Sequence, residues 1–214
     1  MRIGVFDSGI GGEVIATNLR RDFPAAEIIS ISDKENVPYG TKSPVEILQL
    51  TESAIRPLIA SGCDVIVIAC NTATAVAIES LRERHPTQPF IGLEPMVKPA
   101  AALSKTGVVA VFATPATLAS AKYAEAKATY APTTRVLEPD CSEWASLIEA
   151  DSMDRELIEE VVEDCLSHGA DIIVLGCTHY HWIKDEIVET AGLHAVVLDP
   201  SEAISRRVRE LLGV

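Results

Sequence analysis

Two stretches, SGCDVIVIAC at 61–70 and HGADIIVLGC at 168–177, share a Gly, an Asp two residues later, a branched apolar run and a final cysteine. The apolar run is strand-length and shows no alternation, which indicates a strand buried on both faces of a parallel sheet. The cysteines are 177 − 70 = 107 residues apart, and VFDSG at 5–9 matches VFATP at 111–115 at an offset of 111 − 5 = 106. Two matches at nearly the same offset predict two related halves.

The remaining sequence alternates short β-branched runs with longer segments that carry apolar residues at helical spacing. Strand, helix and strand in repetition is typical of a parallel α/β fold. Strands are expected at 2–6, 26–30, 64–69, 89–93, 107–112, 171–176 and 195–199, and helices at 44–60, 72–84, 116–129, 154–168 and 201–212.

The segment GLEPMVKPA at 92–100 contains two prolines and predicts the junction between the halves. We therefore expect a first α/β lobe at 1–95 and a second at 96–199. The tail at 200–214 should form one more helix that packs back on the first lobe.

Composition excludes several classes of protein. The 214 residues include 31 acidic and 18 basic side chains, a net charge of −13 that would repel nucleic acid and anionic membranes. The apolar runs are far shorter than the roughly 20 residues that span a bilayer. The N-terminal MRIGVFD is not expected to be a signal peptide. The five cysteines, an odd number, argue against a disulfide framework. A soluble cytoplasmic protein with free thiols is predicted.

Ligands of open α/β sheets bind beyond the carboxyl ends of the strands. Here those ends read DSGIGG at 7–12, DKENVPYG at 33–40, CNTAT at 70–74, ATPAT at 113–117 and CTHY at 177–180. Hydroxyls and backbone N–H groups at such positions bind anions such as carboxylates. DSGIGG lacks the dinucleotide pattern and a phosphate-binding Lys, and no Lys ends a strand, so no cofactor is expected.

The cysteines that end the repeat, Cys70 and Cys177, are candidate acid/base groups. Each follows a strand and is expected to start a helix, whose dipole would lower the thiol pKa. Asp7 lies on the adjacent first strand, His179 follows the second thiol by two residues, and Glu149 is expected to reach that thiol. Two such groups in matching halves suit the inversion of a carbon stereocentre, because one removes a proton and the other returns one to the opposite face.

The motifs DSGIGG, PYG, CNTAT, ATPAT and GCTHY, in that order, resemble the glutamate racemase family from about residue 2 to about residue 205. The resemblance implies two pseudo-symmetric flavodoxin-like α/β lobes with the active site in the cleft between them. It also implies a cofactor-independent homodimer that converts L-glutamate to the D-glutamate needed for peptidoglycan.

The resemblance assigns roles to individual residues. Cys70 and Cys177 match the acid/base pair, and Asp7, Glu149 and His179 match the groups that assist it. No metal ligand is implied. The substrate would meet Asp7, Ser8, Pro38, Tyr39, Gly40, Cys70, Asn71, Thr72, Thr114, Thr117, Cys177, Thr178 and His179.

Two departures from the family pattern stand out. His181 replaces the proline that usually follows GCTHY, so the next helix is expected to start differently and an extra imidazole lies near the site. Only 214 − 180 = 34 residues follow that motif, fewer than is common, which is expected to affect lobe packing and dimerisation.

Four alternatives remain open at this level. The substrate could be another amino acid such as aspartate, or a hydantoin, because specificity depends on the volume of the site. The chain could be a non-catalytic amino-acid-binding relative. Cys177 and His179 could form a hydrolase pair, which leaves Cys70 unexplained, or bind a metal together with His181.

Overall fold

The computed structural model describes residues 1–213, so Val214, the end of the predicted tail helix, lies outside the described residues. The chain divides into two compact units, one made of residues 1–94 with those from Pro200 onward, the other of Pro95–Asp199. Within the described residues each unit contains a four-stranded parallel sheet flanked by helices. The predicted α/β fold class, with parallel sheets in two lobes, is confirmed.

The elements follow one another in regular alternation along the chain. They are β1 (Arg2–Asp7), α1 (Gly12–Asp22), β2 (Glu27–Ser32), α2 (Pro44–Ala60), β3 (Val65–Ile68), α3 (Asn71–Arg84), β4 (Phe90–Gly92), α4 (Val97–Leu103), β5 (Val108–Phe112), α5 (Pro115–Leu118), α6 (Ala121–Tyr130), β6 (Arg135–Leu137), α7 (Trp144–Glu149), α8 (Arg155–Ser167), β7 (Ile172–Leu175), α9 (Lys184–Ala191), β8 (Val196–Leu198) and α10 (Ser201–Leu212), with 3₁₀ turns at Lys34–Asn36, Tyr39–Thr41 and Thr178–Ile183.

The sheet of the first unit has the order β2-β1-β3-β4. Helices cover both of its faces. One face packs on α1 and α10, which contribute Ile15, Leu19, Ile204 and Val208 to a single apolar cluster. The other face packs on α2 and α3. The C-terminal helix is therefore part of the core of the first unit.

The sheet of the second unit has the order β6-β5-β7-β8, which repeats the flavodoxin-like 2-1-3-4 order of the first. Val109 and Val111 of β5 and Val174 of β7 form one cluster with α4 and Tyr123 of α6. Because parallel strands end at the same edge of a sheet, the loops after β5 and β7 lie side by side.

The glycine and the aspartate that the two copies of the repeat share have the same structural role in both halves. Gly62 and Gly169 have φ values of +66° and +90°, a conformation that side chains disfavour. Asp64 Oδ2 accepts the backbone N–H of Arg2 at 2.7 Å, and Asp171 Oδ2 accepts that of Lys105 at 2.6 Å. Each aspartate thus holds the chain that enters the neighbouring strand.

The repeat also places the cysteines in equivalent registers. Phe6 of β1 pairs with Ile68 of β3, and Phe112 of β5 pairs with Leu175 of β7. Cys70 lies two residues after Ile68, and Cys177 lies two residues after Leu175. Cys70 and Cys177 therefore occupy the same position relative to their own sheets.

The structure differs from the predicted elements in a few places. The helix predicted at 116–129 is two helices, because Ser120 caps α6 by accepting the N–H of Tyr123 at 3.2 Å. Strand β6 was not predicted, since it has three residues and half-buried or exposed side chains. Helices α1, α4 and α7 were not predicted either, and the helix expected to start at Cys177 begins only at Lys184, as α9. Over residues 1–213 no helix is long and apolar enough to span a bilayer.

Candidate active site

The first thiol lies at the start of α3. Cys70 is 5% exposed, and its Sγ accepts the hydroxyl of Ser8 at 3.3 Å and the N–H of Ala73 at 3.4 Å. Cys70 is thereby the N-cap of the helix, as the sequence predicted. These donors would stabilise a thiolate on this sulfur.

The pKa of this thiol moves in the opposite direction from the one predicted. Burial and, after it, the charge of Asp7 raise the pKa of Cys70 to about 11, and the hydrogen bonds from Ser8 and Ala73 offset only part of this. The start of the helix lowers the thiol pKa as predicted, through the Ala73 N–H, but burial and the Asp7 carboxylate outweigh it, so the net shift is upward. Cys70 therefore rests as a neutral thiol at neutral pH.

Asp7 is the last residue of β1, the strand next to β3, and Ser8 follows it. Both are almost fully buried, at 1% and 3% exposure. Asp7 accepts the N–H of Gly9 at 2.9 Å, which folds the DSGIGG loop around its carboxylate. A Cβ on Gly12 would come 2.3 Å from the Cβ of Asp7, so this loop tolerates only glycine there.

The loop after β2 brings Tyr39 into the same unit. Tyr39 is 2% exposed, and its hydroxyl donates to Asp33 Oδ2 at 2.7 Å. Burial and the Asp33 carboxylate raise its pKa, with smaller contributions from Cys70 and Asp7. Tyr39 thus stays neutral, and it lies near Cys70 and Asp7. Pro38 and Gly40 flank it and are half-buried.

Asn71 and Thr72 form the first turn of α3 and are buried beside the thiol, at 4% and 3% exposure. Among the side chains of residues 1–213, Asn71 Nδ2 is buried without a hydrogen-bond acceptor. A buried amide donor of this kind is costly unless a ligand satisfies it. The position therefore suits a substrate carboxylate at the helix N-terminus.

The second thiol is linked to an imidazole and a carboxylate. Cys177 Sγ lies 3.7 Å from His179 Nδ1, and His179 Nε2 lies 2.6 Å from Glu149 Oε1. A carboxylate only accepts hydrogen bonds, so Nε2 donates to Glu149, and in the tautomer protonated only at Nε2 the Nδ1 atom would accept the Cys177 S–H. The order thiol, imidazole, carboxylate is that of a relay that can take a proton from the sulfur.

One expectation for this thiol is corrected. Glu149 Oε1 lies 2.6 Å from His179 Nε2 and is linked to Cys177 through that imidazole. Cys177 does not start an α-helix: a 3₁₀ turn over Thr178–Ile183 follows it, and α9 begins only at Lys184. The second thiol therefore depends on its neighbouring side chains more than on a helix dipole.

Hydroxyls surround the end of β5 in the second unit. Thr114 is the N-cap of α5, and its Oγ1 lies 3.0 Å from Thr117 Oγ1. Thr114, Thr117 and Thr178 are at most 6% exposed. They stand at the same sheet edge as Cys177, because β5 and β7 are neighbours.

His181, which replaces the usual proline, belongs to the second unit but not to this relay. Within residues 1–213 its Nε2 atom is buried with no hydrogen-bond partner. Burial lowers the pKa of His181. The charge of Asp199 partly offsets this shift, and the charge of Lys184 adds to it. Among the same residues no three His, Cys, Asp or Glu side chains form a group able to hold a metal ion, so Cys177, His179 and His181 do not form one.

Each unit thus gathers its own share of the predicted site residues. The first holds Asp7, Ser8, Pro38, Tyr39, Gly40, Cys70, Asn71 and Thr72, and the second holds Thr114, Thr117, Glu149, Cys177, Thr178 and His179. Asp33 and Gly12 were missed. Asp33 stands within DKENVPYG, but nothing in the sequence alone shows that its carboxylate binds Tyr39.

Comparisons with known proteins agree on one class for this chain, the racemases among the isomerases. The Asp/Glu/Hydantoin racemase family model matches residues 13–208. The chain is 40% identical to the glutamate racemase of Ectopseudomonas mendocina over 215 residues, which cover 99% of this chain and 82% of that protein. The chain belongs to the Asp/Glu/Hydantoin racemase family.

Solved structures agree with this membership. The Escherichia coli glutamate racemase, in complex with L-glutamate and the activator UDP-MurNAc-Ala, matches with a TM-score of 0.88 and 30% identity, over 99% of this chain and 82% of that chain. The Francisella tularensis enzyme in complex with D-glutamate matches with a TM-score of 0.82 and 34% identity, over 99% of this chain and 81% of that chain.

Proposed function

We propose that the protein racemises glutamate, with Cys70 and Cys177 as the two acid/base groups acting on opposite faces of one bound amino acid. The observation that carries this proposal is the pair of buried thiols in equivalent registers, each with its own carboxylate. The identity to glutamate racemases supports glutamate as the substrate.

In the proposed reaction one thiol must first become a thiolate. Cys177 loses its proton to His179 Nδ1, and Glu149 stabilises the resulting imidazolium. The thiolate removes the α-proton, and the electron pair of the broken C–H bond becomes the carbanion. The Cys70 S–H then protonates the opposite face, and its sulfur keeps the electron pair while Ser8 and Ala73 donate to it.

The reverse direction uses the same groups in exchanged roles. Cys70 must be deprotonated against a raised pKa, and we assign the proton to the neighbouring Asp7 carboxylate. The Cys70 thiolate removes the α-proton from its side, and the Cys177 S–H returns one to the other side. The carbanion is accessible because a dry, preorganised site replaces water around the developing charge.

We assign substrate binding to the donors that surround the thiols. Asn71 and Thr72 would hold one carboxylate at the N-terminus of α3, and Ser8 and the backbone around Tyr39 would hold the other. Thr114, Thr117 and Thr178 would provide further hydroxyl donors. Recognition would then need no Arg or Lys, which fits a site built from helix starts.

The proposal extends to the setting of the enzyme. We propose a cytoplasmic homodimer that supplies D-glutamate to peptidoglycan synthesis. The support is family membership and the activator UDP-MurNAc-Ala bound to the Escherichia coli enzyme. Light scattering of the purified chain tests the dimer: a monomer at micromolar concentration would exclude it.

The substrate is tested by incubating L-glutamate and L-aspartate separately with the protein in D₂O and following the α-proton by NMR. We expect loss of the α-proton signal and formation of the D-enantiomer only with glutamate. Exchange with aspartate alone would overturn the substrate assignment. Binding of glutamate without exchange would favour a non-catalytic relative.

A further inference from the structure

We propose that Trp144 and Tyr180 are positioning residues that hold Glu149 at hydrogen-bond distance from His179. The inference rests on the proposed function, since it concerns the relay that serves Cys177. Their side chains contact each other, Phe112 and the Cys141 carbonyl, so their role would be to fix the backbone on which the relay is mounted.

Glu149 and Trp144 are the two ends of one very short helix. Helix α7 runs from Trp144 to Glu149, six residues that would not form a stable helix alone. The Glu149 side chain is 19% exposed and the His179 side chain 6%. Other contacts must therefore fix the position of α7 in the second unit.

A single backbone carbonyl joins α7 to the segment that carries His179. The Cys141 carbonyl accepts the N–H of Trp144 at 3.2 Å and the hydroxyl of Tyr180 at 3.0 Å. Tyr180 is the residue after His179 and is fully buried. The start of α7 and the 3₁₀ turn are thus tied to the same oxygen atom.

The rings extend this connection to the sheet. The Trp144 ring packs edge-on against the Tyr180 ring and against the Phe112 ring, with centroids 5.4 Å apart in both pairs. Phe112 is the last residue of β5. Edge-to-face pairs of buried rings add specific geometry to apolar burial, so α7 and the 3₁₀ turn have one fixed arrangement relative to the strand.

The hydroxyl of Tyr180 keeps its proton, because burial and the nearby thiols raise its pKa well above the ordinary value. It therefore donates to the Cys141 carbonyl at any pH at which the enzyme works. A loosened carbonyl anchor would let Glu149 move away from His179, and misplacement by about 1 Å costs roughly 100-fold in rate at such sites.

The variants Trp144→Ala, Trp144→Phe and Tyr180→Phe test this role, with the half-exposed Trp182→Phe of the same turn as the matched control. We expect kcat/KM for glutamate to fall about 100-fold in Trp144→Ala and about fivefold in Tyr180→Phe, which loses one hydrogen bond. Trp182→Phe should match the wild type. If Trp144→Ala does not fold, kcat/KM of Trp144→Phe and Tyr180→Phe tests the positioning role instead.

Isotope effects distinguish positioning from general destabilisation. The equilibrium constant of a racemisation is one, so kcat/KM falls equally in both directions. When transfer at Cys177 becomes the slow step, α-deuteration should slow only the enantiomer whose α-proton faces Cys177. Cys177→Ser identifies that enantiomer, since it should retain α-proton exchange only for the other one.

The outcomes separate the two proposals. Wild-type rates in Trp144→Phe and Tyr180→Phe, or reduced rates with the wild-type ratio of isotope effects, would overturn the positioning role alone. A wild-type protein that leaves the α-protons of both glutamate enantiomers in place would overturn the proposed function and this inference together.

Discussion

The two thiols have different surroundings although they occupy equivalent registers. Cys70 is hydrogen-bonded by donors that favour a thiolate, while Asp7 and burial favour the thiol. Cys177 is linked to an imidazole instead, with its Sγ 3.7 Å from His179 Nδ1. The proposed symmetric reaction would thus use one carboxylate near a thiol and one carboxylate behind an imidazole.

The pKa of Cys70 can be moved in both directions by adjacent substitutions. Asp7→Asn removes the negative charge and should lower the pKa, while Ser8→Ala removes a donor to the sulfur and should raise it further above about 11. The pH dependence of Cys70 alkylation by iodoacetamide, read by peptide mass spectrometry without substrate, measures both. Equal midpoints in the two variants would contradict the assigned causes.

The same thiol affects stability at high pH. A raised pKa in the folded state means that the folded protein keeps a proton that the unfolded chain has lost. The contribution of Cys70 is therefore present below pH 9 and is lost as pH rises toward about 11. Urea denaturation at pH 8 and pH 10.5 should show a smaller loss of stability in Asp7→Asn than in the wild type, and an equal loss would exclude this linkage.

Gly12 sets the position of Asp7. Gly12→Ala would place a Cβ 2.3 Å from the Cβ of Asp7, so we expect kcat/KM to fall tenfold or more, on the order of the effect of misplacing an assisting group. Gly107→Ala is the control, because its φ of +74° makes alanine strained although no atom lies within 4 Å. Both variants should lose stability by about 1–3 kcal/mol. Loss of activity in Gly107→Ala as well would refute a local effect at Asp7.

Some neighbours of each thiol could be predicted from the sequence, but their electrostatics could not. The repeat locates Cys70 and Cys177, and strand neighbours locate Asp7. The direction of the Cys70 pKa depends on how dry the site is, which no local pattern shows. The link from Tyr39 to Asp33 likewise depends on the path of a loop with no periodicity.

At the scale of elements, Asp171 fixes the entry to β5. Its carboxylate accepts the Ser104 hydroxyl at 2.6 Å and the N–H groups of Lys105 and Thr106 at 2.6 and 3.0 Å. Although burial opposes the shift, these hydrogen bonds lower the Asp171 pKa. The lowered pKa means that the stabilisation is present above the unfolded pKa and is lost as pH falls through the folded pKa.

Asp171→Ala should therefore destabilise the protein by about 2–3 kcal/mol, because backbone donors lose their acceptor. Asp185→Ala, at an exposed aspartate, should change the stability by less than about 0.5 kcal/mol. Urea denaturation at pH 7 measures both. The difference between Asp171→Ala and the wild type should shrink as pH falls below about 4. A constant difference would indicate that the charge contributes nothing.

The predictability of elements follows their burial. Strands β1, β3, β5 and β7 are central and contain continuous runs of buried residues, so their sequences are distinctive. Strand β6 lies at a sheet edge and has a mixed pattern, so it could not be recognised. The break between α5 and α6 depends on one serine cap, which competes with a continuous helical pattern.

At the scale of the whole molecule, the C-terminal helix completes the first unit. Ile204 and Val208 are buried against β1, β3 and α1. Ser205 donates to Asp22 Oδ2 of α1 at 2.7 Å, and Asn18 donates to Ser201 at 3.2 Å. Residues distant in sequence thus share one core.

Ile204→Ala should destabilise the protein by about 2–5 kcal/mol, as for other buried large-to-small substitutions. Leu211→Ala on the same helix is the control, since Leu211 is 39% exposed and should cost under about 1 kcal/mol. Hydrogen exchange with mass spectrometry should show faster exchange in β1 and β3 of Ile204→Ala, with β5 and β7 unchanged. Equal acceleration in both sheets would contradict the assignment of α10 to the first unit.

The central claim is that two thiols act on opposite faces of one glutamate, and deuterium incorporation at early conversion tests it most directly. L-glutamate is incubated with the protein in D₂O, and both enantiomers are isolated before a tenth or so of the substrate has reacted. Two separate bases predict α-deuterium in the newly formed D-glutamate and retained α-protium in the remaining L-glutamate. Equal deuterium in both pools, or full racemisation by Cys70→Ser or Cys177→Ser, would contradict it.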